Sequence, residues 1–218
     1  MHLKDKTIAI TGGTKGLGKA MNELLTSKGA KVSVCSRTDY DVTDESALTT
    51  FADKIGNIDI WINNAGVWLP PLPIESLDIE KAKKLIDINL FGTINGTRVA
   101  VRQMKKQGGG TIVNIISTTA FDGMNGSSGA MYVATKYALR GFTNVVREEL
   151  HSANINVIGI YPGGFKSDIF NEAIPKNFDL FMSVDEVAHK IIDNLEKEEP
   201  EAQLVIKRPG QKTSNELK

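Results

Sequence analysis

At 218 residues, with 26 acidic and 26 basic side chains and a formal net charge of zero, the chain reads as one domain, residues 1–218, with a sizeable core and no electrostatic claim on nucleic acid or an anionic membrane surface. A single cysteine rules out an internal disulfide and fits a reducing, cytoplasmic setting, and three scattered histidines give no metal-ligand spacing. No run of about 18 apolar residues is available to span a membrane, and the short charged start before residue 7 does not have the form of a signal peptide.

Short β-rich runs alternate with helical patterns. Residues 7–11 read as a strand that enters a glycine loop. Residues 19–28 have helical composition and stop at Gly29, a good C-cap. A strand at 31–36 contains Cys35, which reads as a buried structural thiol. A helix at 46–55 and a strand at 58–63 follow. Residues 80–106 form one long helical stretch, closed by three consecutive glycines. The order ends with a strand at 111–116, a helix at 131–153, a strand at 156–161 running into Pro162-Gly163, a helix at 184–198 and a strand at 203–207. The polar tail, 210–218, reads as mobile. Strand–helix alternation with continuous apolar strands predicts an α/β fold: a Rossmann-like, doubly wound parallel sheet with helices on both faces. One junction is unusually short. Only Thr38, Asp39 and Tyr40 separate Arg37 from Asp41-Val42, whereas a parallel crossover needs a dozen or more residues. The third strand is therefore expected to be short or absent.

Two motifs carry chemistry. Tyr132 and Lys136 stand four apart in a helical segment, so phenol and ammonium share a face. A nearby cation favours phenolate and would lower the phenol from about 10 toward neutrality, making it a usable acid/base. The loop Thr11-Gly12-Gly13-Thr14-Lys15-Gly16-Leu17-Gly18 lies between the first strand and the first helix. Glycines there permit a tight turn and close backbone approach, and a helix N-terminus offers N–H groups to phosphates.

Taken in order, this glycine loop, Asn63-Asn64-Ala65-Gly66, Asn89, Ser117, Tyr132-x-x-x-Lys136 and Pro162-Gly163 resemble the short-chain dehydrogenase/reductases. The resemblance runs from about residue 6 to 167, and more loosely to 207. It implies that Tyr132 is the catalytic acid/base, that Lys136 lowers its pKa and holds the nicotinamide ribose, and that Ser117 polarises the substrate carbonyl. Asn89 would break the local helix and hold a water in a proton relay. Gly12, Thr14, Lys15, Gly16, Leu17 and Gly18 would cradle phosphates. Asn63, Asn64, Ala65 and Gly66 would have a mainly structural role beside the adenosine half, and Asp41-Val42 would meet adenine in a pocket more open than in longer relatives. Pro162-Gly163 would leave backbone groups at Gly164 and Phe165 to meet the carboxamide, and Ser167 would offer its hydroxyl to a phosphate or amide. Ser117 precedes Tyr132 by 15 residues, more than the family pattern. An insertion in residues 122–128 accounts for this and leaves Thr118 and Thr119 as rival hydroxyls.

Charge indicates the cofactor. NAD binders place an acid after the second strand, on the ribose 2′-OH. Here that position reads Ser36-Arg37. Arg37 can fork onto a 2′-phosphate, and Lys15 adds a second cation, so NADP(H) is expected over NAD(H); Asp39 is the counter-indication. Trp68, Leu69, Phe165, Ile169, Phe170, Phe178 and Phe181 fit an apolar substrate pocket or simple lid packing. The expected activity is hydride transfer between nicotinamide and a small carbonyl or alcohol substrate, with no metal. A homodimer or homotetramer through the helices around 80–106 and 131–153 is what the resemblance implies. Two alternatives remain: a catalytically idle NADP-binding regulatory protein, and a nucleotide-sugar epimerase, for which the 51 residues after Ser167 are too few to form the usual substrate domain.

Overall fold

Strands that are apolar throughout must be covered on both faces, and the chain achieves this with a single sheet. The computed structural model describes residues 2–122, 129–170, 173–175 and 177–211. Among these residues the strands are β1 (Thr7–Thr11), β2 (Lys31–Cys35), β3 (Ile60–Asn63), β4 (Gly110–Ile115), β5 (Ile155–Pro162) and β6 (Gln203–Ile206). They pair in parallel in the order β2-β1-β3-β4-β5-β6. The helices are α1 (Gly16–Ser27), α2 (Glu45–Ile55), α3 (Ile79–Ile86), α4 (Gly92–Gln107), α5 (Thr119–Asp122), α6 (Ala130–Leu150) and α7 (Val184–Glu196).

Side chains alternate across each strand, which splits the core in two. Ile8, Ile10, Ile62, Val113, Ile158 and Ile160 face Met21 and Leu25 of α1 and Ile191 and Ile192 of α7. Ala9, Trp61, Ile112 and Val157 face the other way, onto Leu48 and Phe51 of α2, Val99 and Met104 of α4, and Leu150 of α6. The chain turns from β1 outward to β2, then returns to place β3 on the other side of β1. The C-terminal ends of β1 and β3 therefore diverge into the crevice where such sheets bind ligands.

The third strand of the ordinary plan is absent. Residues 36–44 turn directly into α2: Tyr40 N–H donates to the Ser36 carbonyl (2.9 Å) and Asp44 N–H to the Asp41 carbonyl (3.0 Å). Asp44 then caps α2, its carboxylate accepting from the N–H groups of Ser46 and Ala47. β2 is left as the sheet edge. The stretch expected as one helix over 80–106 is instead α3 and α4 joined by a π-helical turn, Asp87–Phe91. The strand expected to start at 58 begins at Ile60, because the Gln107 side chain takes up both the N–H (2.9 Å) and the carbonyl (2.8 Å) of Ile58. The first helix begins three residues earlier than expected, at Gly16. The insertion expected in 122–128 falls on positions 123–128, outside the described residues, as do positions 212–218 of the polar tail. Among the described residues no helix is long and apolar enough to cross a membrane, and no group of three or more His, Cys, Asp or Glu could hold a metal ion.

Candidate active site

The glycine loop forms a cradle made of backbone. Gly12 and Gly16 have φ of 65° and 47°, in the region that side chains with a Cβ rarely adopt. A Cβ at Gly18 would lie 2.2 Å from the Gly12 carbonyl oxygen, so the helix start can rest on the loop only without one. The β3 end closes the cradle. Asn64 donates its amide to the carbonyls of Thr11 and Gly12 (both 3.0 Å), and the Thr11 hydroxyl accepts from the N–H groups of Asn64 and Ala65 (3.0 and 3.1 Å). α1 carries no side-chain cap at Lys15, which leaves its first N–H groups available. Ser167 reaches this point from the segment after β5: a Cβ on Gly16 would stand 2.9 Å from its hydroxyl. A cavity of about 280 Å³ opens alongside, lined by Gly16, Lys19, Lys166 and Ser167 among others.

The second cluster gathers at the C-terminal end of β4, two strands away. Ser117 is buried, and its hydroxyl stands close enough to the Tyr132 phenol to lower the phenol's pKa. It also accepts from the Thr119 N–H at 3.2 Å. Lys136, one helical turn after Tyr132, is only 6% exposed; its ammonium lies 5.5 Å from the Tyr132 ring centroid. That ammonium donates to the Ile115 carbonyl at 3.2 Å. The expectation that Lys136 draws the phenol toward neutrality is not met in this geometry. Burial pushes the Tyr132 phenol up to about 12, with the Ser117 hydrogen bond pulling the other way, and burial lowers the Lys136 ammonium to about 8. The ammonium spends its hydrogen bond on a backbone carbonyl instead of the phenolic oxygen, and desolvation outweighs the rest.

Asn89 explains the π-helical turn. Its side chain accepts from the Val67 N–H (2.8 Å) and donates to the Val67 carbonyl (2.9 Å), fastening α3–α4 to the segment after β3. Behind the site runs a buried polar chain. Trp61 donates to Asn63 (2.7 Å), Asn63 to Asn114 (2.9 Å) and Thr97 (3.1 Å), and Asn114 to Thr143 (3.0 Å). It ties β3 and β4 to α4 and to α6, the helix that carries Tyr132. Each member is satisfied, which makes such a network rigid.

At the other end, Arg37 is exposed on the turn after β2. Asp39 is engaged by the Ser36 hydroxyl, and Asp41 accepts from the backbone and the hydroxyl of Thr43, both at 2.9 Å. These Thr43 bonds, with help from Arg37 and Lys84, hold the Asp41 carboxyl below its ordinary value against a smaller opposing effect of burial. Val42 is buried beneath Gly92. Cys35 is buried as expected, its thiol pushed up to about 12 by burial and by Asp39 and Asp41.

In the segment after β5, Phe170 packs edge-on to Trp68 (5.1 Å between centroids) and to Phe181 (5.6 Å), and Phe178 lies beside Phe170 and Phe181. A small hollow of about 20 Å³ adjoins Tyr132, lined by Leu69, Pro70, Leu72, Ile74 and Met131 among others.

A family model described as short chain dehydrogenase matches residues 38–177. The chain belongs to the short-chain dehydrogenase/reductase family of oxidoreductases. It is 34% identical to Carbonyl reductase family member 4 of Xenopus laevis over 220 residues, covering 88% of this chain and 91% of the relative. Among solved structures it is similar to a short chain dehydrogenase from Burkholderia cenocepacia J2315 in complex with NADP (TM-score 0.84, 26% identity, 95% and 90% of the two chains). A 3-ketoacyl-(acyl-carrier-protein) reductase from Brucella melitensis complexed with NADH shares the fold (TM-score 0.81, 24% identity, 94% and 97%).

Within this short-chain dehydrogenase/reductase, the structure groups the sequence-derived residues into three places. Gly12, Gly16, Gly18, Asn64, Ala65 and Ser167 meet at the cradle, with Thr14 and Lys15 in the same loop, Leu17 in the first turn of α1 and Gly66 against the Asn89 side chain. Ser117, Tyr132 and Lys136 meet at β4, with Pro162 and Gly163 beside them: the Thr118 N–H donates to the Pro162 carbonyl at 3.0 Å. Phe165 packs against the α1–α7 core and pairs with Met182. Ser36, Arg37, Asp41 and Val42 stand apart on the turn after β2. The rival hydroxyls are separated: Thr118 accepts from Gln211 at 2.8 Å, and Thr119 is buried without a partner among the described residues. Sequence reasoning did not single out Gln211. It lies in a polar tail with no motif around it, and nothing short of the tertiary contact marks it.

Proposed function

We propose that the chain is an NADP(H)-dependent reductase or dehydrogenase acting on a small carbonyl or alcohol substrate. One observation carries the reading: a phenol gathered with a serine hydroxyl and a buried ammonium, at the C-terminal end of a parallel sheet that also presents a backbone cradle fit for phosphates. A dinucleotide fits that cradle because the glycines let its pyrophosphate approach backbone N–H groups and an uncapped helix N-terminus. A nicotinamide bound there would supply or accept the hydride.

The protein's own groups manage position and proton. Tyr132, neutral at pH 7 with its phenol near 12, is the acid that donates to a carbonyl oxygen during reduction. Ser117 holds that oxygen by its hydroxyl. Lys136 contributes positive charge beneath the site and can reach ribose hydroxyls. Asn89 sets the π-helical turn that shapes this corner. Gly12, Thr14, Lys15, Gly16, Leu17, Gly18 and Ser167 receive the phosphates; Asn64, Ala65, Gly66, Asp41 and Val42 receive the adenosine half; Pro162, Gly163 and Phe165 receive the carboxamide. Arg37, exposed and with no acid in the ribose-reading position, supports a 2′-phosphate and so NADP(H). Both nearby carboxylates, Asp39 and Asp41, are already hydrogen-bonded within the turn. Exposed Phe91 and Val145, on the α4 and α6 side, support self-association through those helices. The test is titration of NADPH and NADH by cofactor fluorescence, joined to turnover over a panel of aldehydes, ketones and alcohols. Absence of binding and of turnover would overturn the reading.

A further inference from the structure

Residues 207–211, the segment after β6, bring a side chain to Thr118, the residue next to Ser117. The Gly163 N–H donates to the Ile206 carbonyl at 2.7 Å, which holds the start of this segment against the turn after β5. The segment then folds back on itself. The Gln211 N–H donates to the Arg208 carbonyl (3.1 Å), and the Gln211 side-chain carbonyl accepts from the Arg208 N–H (3.2 Å). The other end of the same amide donates to the Thr118 hydroxyl at 2.8 Å. Thr118 is buried, follows Ser117 directly, and is fixed on its backbone side by the Pro162 carbonyl (3.0 Å). Gly163 leaves the room this requires: a Cβ there would come within 2.3 Å of the Gln211 side-chain oxygen. The Arg208 guanidinium lies 5.6 Å from the centre of the Phe181 ring, so the same segment also touches the aromatic cluster.

We infer that Gln211 is a positioning residue for the reaction. It acts through Thr118, locking that hydroxyl away from the substrate so that Ser117 is the one that pairs with Tyr132. Three adjacent hydroxyls follow β4, and of these Ser117 is the one that acts on the phenol. Thr118 is an equally strong hydroxyl one peptide away, and the Gln211 amide is the partner that keeps it engaged. The inference rests on the reading of Ser117 and Tyr132 as the pair that handles the substrate oxygen.

The test uses the full chain, NADPH or NADH, and whichever carbonyl the wild type turns over. Gln211→Ala should lower kcat roughly three- to tenfold, the usual worth of one neutral hydrogen bond, and leave the dissociation constant for the reduced cofactor within about twofold. Thr118→Val should lower kcat in the same way. The double variant should be no slower than the slower single variant, because both changes break one interaction. Thr118→Ser, which keeps the acceptor, should keep more of the turnover than Thr118→Val. A purely structural role would lower thermal stability without this split between kcat and cofactor affinity. Effects of Gln211→Ala and Thr118→Val that multiply in the double variant, or a Gln211→Ala enzyme with wild-type kcat, would overturn the inference and leave the proposed function standing. A wild type that turns over no carbonyl or alcohol would instead overturn the proposed function, and the inference with it.

Discussion

The two ends of the binding crevice are built in opposite ways. The β1–β2 end is backbone and exposed charge: glycines, an uncapped helix start, and Arg37 on a solvent-facing turn. The β4–α6 end is buried side chains: Ser117 and Lys136 under 8% exposed, with a satisfied polar chain behind them. Charges at the first end act through water and are screened by salt. At the second, each group is held by packing, and its protonation is set by desolvation. The first end should therefore tune which cofactor binds, and the second should decide whether chemistry occurs.

The largest effect belongs to the buried end. Tyr132→Phe keeps the ring and its packing and removes the proton. Turnover should fall by roughly 10²–10⁴-fold while the dissociation constant for the reduced cofactor stays near that of the wild type. Equal turnover on any substrate the wild type accepts would erase the division between the two ends.

Next comes the exposed end. One charge-assisted hydrogen bond to a 2′-phosphate contributes about 1.5–3 kcal/mol, or about 10- to 100-fold in affinity. Arg37→Ala should weaken NADPH by that factor and leave NADH nearly unchanged. Arg37→Asp should go further and approach NADH preference. The wild-type preference should shrink as salt rises. Equal weakening of both cofactors by Arg37→Ala would remove Arg37 as selector and leave Asp39 to be tested.

Lys136 offers a comparison in stability rather than rate. In the unfolded chain its ammonium holds its proton to about 10.5, whereas buried it releases it near 8. Below pH 8 both states are charged and the desolvation cost is full. Between 8 and 10.5 the folded state sheds the proton first, so the wild type gains stability across that window. Lys136→Met should therefore be more stable than wild type at pH 7, by roughly 1–3 kcal/mol after the lost bond to Ile115 is counted. The advantage should fade toward pH 10.5, while turnover and cofactor affinity both drop. Denaturant melts at pH 7 and pH 10 measure this directly. A variant less stable than wild type at pH 7 would show that the ammonium is better solvated than its burial implies.

The smallest effect concerns helix starts. α2 is capped by Asp44, whereas α1, at the glycine cradle, has Lys15 and no cap. Asp44→Ala should cost about 1 kcal/mol. Lys15→Asp should raise stability by a few tenths to about 1 kcal/mol, since a carboxylate there caps the helix and favours its dipole. The same change should weaken NADPH, because it fills the anion site. Improved cofactor binding by Lys15→Asp would contradict the view of this helix start as a phosphate seat.

Much of this was legible from the chain alone. The alternation of apolar runs required a parallel sheet with two covered faces, because such strands cannot face water. The short Arg37–Asp41 junction excluded a regular third strand by length. The order of glycine loop, Asn89, Ser117, Tyr132 and Lys136 named residues that the fold gathers at the ends of β1 and β4. Other features depended on contacts between residues far apart in sequence. The π-helical turn at Asn89 forms because that side chain reaches Val67, 22 residues earlier. Tyr132 and Lys136 share a face as their spacing required, but the direction of their pKa values follows from burial that no local pattern encodes. The choice among three consecutive hydroxyls, Ser117, Thr118 and Thr119, depends on Gln211, 93 residues beyond Thr118. Periodicity and spacing report what neighbours along the chain can do; which of three consecutive hydroxyls is engaged, and how far a half-buried phenol is desolvated, are set only when the sheet brings distant segments together.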